Sequence, residues 1–146
     1  MKKIIIVLML FVCIINLFAN EKSTLWTDDF ANALILAKET NKPILIDFTG
    51  SDWCGWCVRL KEEVFNKPEF IEYAQEKFVL FVADFPRSIP QSNELKRQNR
   101  SLMEKYEIKG FPTIVIINQD EGLLARTGYQ AGGAQAYIRH LEELLK

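Results

Sequence analysis

The run Ile44-Leu45-Ile46-Asp47-Phe48, followed after one turn by Trp53-Cys54-Gly55-Trp56-Cys57, decides how this chain reads. The first five residues are a compact apolar stretch between Pro43 and Gly50, the pattern of a buried strand. Cys57 to Phe65 follows with Leu60 and Val64 spaced for one helix face. The cysteine pair therefore sits at a strand-to-helix junction. Two thiols at this spacing close a small ring when the first turn of a helix holds them together. Unpaired N–H groups and the dipole at a helix start favour an anion, so the first thiol ionises more readily than a free one. The thiolate is the species that attacks a disulfide. Cys54, at the exposed helix tip, is the expected nucleophile, and Cys57, one turn deeper, the expected resolving thiol of a redox-active disulfide.

Other uses of the pair fit less well. A zinc site needs two further ligands, and beyond the N-terminal leader the chain offers only His140, in the distant last helix. An iron–sulfur centre fails for the same lack of thiolates, so neither metal nor cofactor is expected. A purely structural disulfide would close too short a loop to stabilise much.

Working outward, Asp28 to Thr40 reads as a helix capped by Thr27 or Asp28, with Phe30, Ala33, Leu34 and Ala37 on one face. A second helical stretch starts at Pro68, and Phe78 to Phe85 is another apolar strand. Ser92 or Asn93 can cap a helix carrying Leu95, Leu102, Met103 and Tyr106. Thr113–Ile117 and Leu123–Tyr129 form a hairpin around Asp120-Glu121-Gly122, and Gly132-Gly133 precedes a last amphipathic helix. Alternating strands and helices give parallel pairs, and the hairpin adds an antiparallel one. The expected class is α/β, with a mixed central sheet of four to five strands and helices on both faces.

The N-terminus reads differently. Lys2-Lys3 precedes an unbroken apolar run from Ile4 to Ile15, and Ala19 closes the segment. That is the order of a secretory signal peptide over residues 1–20, leaving a domain of residues 21–146; an uncleaved membrane anchor is the alternative. Export to the periplasm is therefore expected, where disulfide chemistry is available. The whole chain carries 18 Lys+Arg against 19 Asp+Glu; without Lys2 and Lys3 the balance is 16 against 19. Such a mixed, mildly acidic surface excludes broad nucleic-acid binding, which needs a basic face.

The residues Ile46-Asp47-Phe48, Trp53 to Cys57, Tyr106 to Thr113, Asp120-Glu121-Gly122 and Gly128 together resemble the thioredoxin superfamily over about residues 25–146. The segment around TGSDWCGWC looks most like exported bacterial proteins of the thiol:disulfide interchange group. The resemblance implies a thioredoxin fold. It also implies a cis-proline at Pro112 facing the cysteines, Phe111 lining the substrate groove, and Asp47 as a buried acid that accepts and returns the proton of Cys57. Trp53 is expected to pack beside Cys54, and Trp56 to expose its ring to substrate. Two features depart from the family pattern: one extra residue in the turn at Gly50-Ser51-Asp52, and a long Pro86–Arg100 segment with four cations, read either as a partner surface or as a solvated helix face.

Gly55 and Trp56 place no cation inside the motif, and Asp52 is an anion close by, which opposes thiolate formation. The expectation is a reductase of disulfides in cysteine-containing exported proteins, acting as a monomer and supplied by a DsbD-like membrane electron donor. An isomerase or oxidase, or a non-catalytic peptide-binding module on the same scaffold, is the alternative.

Overall fold

A computed structural model describes residues 25–146; the expected leader lies outside them. In chain order the elements are β1 (Trp26–Thr27), α1 (Phe30–Thr40), β2 (Ile44–Thr49), α2 (Gly55–Leu60), α3 (Pro68–Lys77), β3 (Val79–Asp84), α4 (Asn93–Lys105), β4 (Thr113–Ile117), β5 (Leu123–Thr127) and α5 (Gly133–Leu144). Between α2 and α3 the helix continues through Lys61–Phe65 with the wider π spacing.

The sheet order is β1-β3-β2-β4-β5, the mixed sheet of a thioredoxin fold. β2 runs parallel to β3, with Asp47 opposite Val82 and Thr49 opposite Asp84, and antiparallel to β4. Side chains alternate across a strand, so successive residues of β2 feed two cores. Leu45, Leu80, Ile114 and Ile116 pack against α2, α3 and α5, around the fully buried Phe70 and Tyr137. Ile44, Ile46, Phe48, Phe81 and Val115 pack against α1 and α4 on the other face. Each fully buried side chain of this size contributes about 1.5–3 kcal/mol of transfer free energy. One residue interrupts the apolar run of β2, and it is Asp47.

Local signals explain most boundaries. Asn41 ends α1 in the left-handed region at φ 53°, Pro68 opens α3 at its first turn, and the Ser92 hydroxyl accepts the Leu95 N–H to start α4. Four details differ from the sequence reading. Asp29, rather than Thr27 or Asp28, caps α1, because its Oδ1 accepts the Asn32 N–H. The active-site helix starts at Gly55 instead of Cys57. The hairpin's return strand stops at Thr127. A two-residue strand, β1, completes the sheet on β3. Lys96, Arg97 and Arg100 lie exposed on α4, while Asn99 turns inward and donates to the Asp84 carbonyl.

Candidate active site

The turn after β2 delivers Cys54 to the N-cap of α2. Its backbone is extended, its N–H donates to the Gly50 carbonyl at 2.9 Å, and its Sγ accepts the Cys57 N–H at 3.3 Å. Cys54 and Cys57 are joined by a disulfide with a Cα–Cα distance of 5.2 Å. Cys54 is 7% exposed and Cys57 5%, so the expected contrast between an exposed and a buried sulfur is absent in the oxidised form. What distinguishes them is position: Cys54 stands outside the helix, with its sulfur on a helix-start N–H where negative charge is favoured, and Cys57 lies inside the first turn.

Trp53 and Trp56 flank the disulfide. The Trp53 ring lies on Gly50, where a Cβ would come within 2.5 Å of it, and its Nε1 donates to the Phe85 carbonyl at 2.8 Å. Phe111 meets Trp53 edge-on at 5.9 Å and stacks on Phe85 at 5.1 Å. The next bond, Phe111–Pro112, is cis. Trp56 is 56% exposed and leans on Tyr129 at 5.1 Å, with the Arg59 guanidinium over both rings. Glu63 accepts from both the Tyr129 hydroxyl and Arg59 at 2.6 Å, and these two bonds hold its carboxyl below the usual carboxylate range.

Beneath the disulfide lies a cavity of about 750 Å³ whose walls include Cys57, Asp47, Lys61, Asp84 and Asn99. Oδ1 of Asp47 is fully buried there and has no hydrogen-bond partner. Burial, and secondarily the like charge of Asp84, push the Asp47 carboxyl up to about 7; Lys61 opposes them. A carboxyl raised to about 7 in a cavity that Cys57 also lines can exchange a proton near neutral pH.

The inserted turn has its own anchors. Ser51 donates to Asp84 through both its N–H, at 2.9 Å, and its hydroxyl, at 2.5 Å. The Asp52 carboxylate accepts the backbone N–H groups of Arg87, Ser88 and Ile89, which lower its pKa. These bonds hold Asp52 as an anion with its oxygens turned to the 87–89 backbone.

The structure joins Cys54 to Cys57, lines one cavity with Cys57 and Asp47, and brings Trp53 against Phe111, which precedes the cis bond to Pro112, while Trp56 turns to Tyr129. Sequence reasoning missed Asp84, Ser51, Lys61, Tyr129 and Glu63. An acid ending an apolar strand was a usable signal for Asp84, and the i,i+4 spacing to Arg59 was one for Glu63; Ser51, Lys61 and Tyr129 carry none, because the groups they meet lie far along the chain. Among the described residues no group of three or more His, Cys, Asp or Glu is placed to hold a metal ion, and no helix is long and apolar enough to cross a membrane.

Comparison with known proteins places this geometry. A thioredoxin-like domain family matches residues 30–144. The disulfide bond reductase DsbH of Chlamydia pneumoniae is 35% identical over 119 residues, covering 82% of this chain and 72% of that one. The thioredoxin-related protein DsbJ of the same species is 31% identical over 134 residues, covering 87% of this chain but only 38% of its own length. A solved structure of a DsbH oxidoreductase superposes with a TM-score of 0.79 at 34% identity, covering 89% of this chain and 92% of that one.

Proposed function

This chain belongs to the thioredoxin-like family and is a thiol:disulfide oxidoreductase of the Dsb type; from that premise we propose that it is an extracytoplasmic protein-disulfide reductase. The observation that carries the reading is the Cys54–Cys57 disulfide at a helix N-cap with a buried, unpartnered Asp47 oxygen in the cavity that Cys57 also lines. In the reduced protein the Cys54 thiolate attacks one sulfur of a substrate disulfide. That S–S bond breaks, a mixed disulfide forms, and the departing substrate sulfur takes a proton. Asp47 accepts the proton of Cys57, whose thiolate then attacks Cys54 Sγ. The mixed disulfide breaks, the Cys54–Cys57 bond forms, the second substrate sulfur takes the proton back from Asp47 or from water, and the substrate leaves with two thiols and two more electrons than it brought.

The direction of electron flow is supported by Gly55 and Trp56, which put no cation between the cysteines, and by the reductase named among the relatives. Renewal of the dithiol needs two electrons from outside the compartment, and a DsbD-like membrane protein supplies them in this proposal. Residues 1–20 direct export to the periplasm, and the domain acts as a monomer. Trp53, Trp56, Phe111 and Pro112 form the substrate surface, with backbone beside Pro112 receiving an extended substrate segment.

Insulin reduction by dithiothreitol tests the catalytic assignment. The unaltered protein accelerates precipitation of the insulin B chain, and Cys54→Ser abolishes the acceleration. Full activity in Cys54→Ser would overturn the reading and favour a non-catalytic peptide-binding module, whose chaperoning would survive loss of both thiols.

A further inference from the structure

Each tryptophan beside the disulfide carries an arginine, but the two arginines differ electrically. Arg59, over Trp56, spends its charge on Glu63 at 2.6 Å. Arg87 lies 4.0 Å from the Trp53 ring centroid, is exposed, and has no carboxylate partner among the described residues. Of the carboxylates near this loop, Asp52 is occupied by the amides of Arg87, Ser88 and Ile89, and Asp84, three residues before Arg87, by Ser51. The same three bonds tie the loop to the turn that carries Trp53, so Arg87 is held at a set place on the rim. Trp53 in turn contacts Phe111, the residue before the cis bond. Ile89, 54% exposed, adds an apolar side chain two residues along the same loop.

We propose that Arg87 is a specificity residue on this rim, selecting polypeptide substrates that carry an aspartate or glutamate near the reactive cysteine. The proposal rests on the reductase reading and deepens it. A guanidinium stacked on an aromatic face keeps its edge donors free for a carboxylate, and the fixed backbone spares part of the ordering cost of meeting one. The Trp56 side, where Glu63 already neutralises Arg59, offers no matching attraction. The selectivity is therefore one-sided, favouring acid where the substrate passes Trp53.

The test uses the mature protein and three disulfide-bonded peptides that are identical except for Glu, Gln or Lys two residues from the cysteine. The expected kcat/KM order is Glu, then Gln, then Lys, with about two- to five-fold per step, the scale of a partly exposed ion pair. In Arg87→Gln the Glu-to-Gln ratio falls to about one. Arg87→Lys restores part of it, and added salt shrinks it in the unaltered protein. An unchanged ratio in Arg87→Gln, or no preference in the unaltered protein, would overturn the inference and leave the reductase reading standing. Failure to reduce any of the peptides would overturn both.

Discussion

The two tryptophans that bracket Cys54 are held by different means. On the Trp53 flank the residues before the cysteine are laced to the end of β3 and the loop beyond it: Ser51 to Asp84, Asp52 to three backbone amides, and the Trp53 indole to the Phe85 carbonyl. On the Trp56 flank the contacts run between side chains, with Tyr129 and Arg59 against the ring and Glu63 joining them. Hydrogen bonds to backbone fix a loop relative to the sheet, whereas contacts between side chains tie the rings to one another without fixing the chain that carries them. One wall of the site is thus held through backbone and the other through side chains. A protein that must accept many partners while keeping its attacking sulfur in place can use both.

The largest effect is expected under both walls, at Asp47. Its carboxyl titrates near 7 when folded, against an ordinary 3.8. Between those values the folded protein holds a proton that the unfolded chain has lost. The stabilisation is therefore complete below about pH 4 and disappears as pH rises through 7, by up to about 4 kcal/mol. Urea unfolding of the oxidised protein from pH 4 to 8 should show this decline. Asp47→Asn should flatten it and be the more stable form at pH 8, and Asp84→Asn should reduce it in part. A decline as steep in Asp47→Asn would place the buried proton elsewhere.

The glycines separate the walls more sharply. Gly50→Ala drives a Cβ to 2.5 Å from the Trp53 ring, so it should cost about 1–3 kcal/mol and change Trp fluorescence. Gly55→Ala meets nothing within 4 Å and should be neutral or stabilising by about 0.5 kcal/mol. Equal losses in thermal melts would erase the distinction. Asp52→Ala comes next: it should raise amide exchange at Arg87, Ser88 and Ile89 about tenfold without touching α5. Exchange confined to its former rate would mean that the loop is held by other contacts. The smallest effect is expected from Glu63→Gln, which should change the insulin-reduction rate less than about twofold, since Gln keeps an oxygen for Tyr129 and Arg59 and loses only a partly exposed charge pair.

What was legible in the sequence follows the reach of the forces involved. The apolar runs of β2, β3 and β4 and the cysteine spacing are local patterns, and they specify the sheet and the disulfide helix. The cis bond at Pro112 was accessible only through family resemblance, because its flanking residues do not demand it. β1 is two residues long and has no period to detect; it exists because β3 offers an edge. Asp52 reads as a charge beside Cys54, yet its carboxylate is satisfied by amides 35 to 37 residues later. The expected exposure of Cys54 failed as well: at 7% it is nearly as covered as Cys57, which no local pattern in the sequence encodes.

The reduction potential of the Cys54–Cys57 pair, measured by equilibration against glutathione, tests the central claim most directly. A dithiol that gives electrons to substrates, with no cation inside its motif, should lie between about −270 and −180 mV, the values of thioredoxin and protein disulfide isomerase. A value near −120 mV, that of a strong oxidant, would contradict the reductase account.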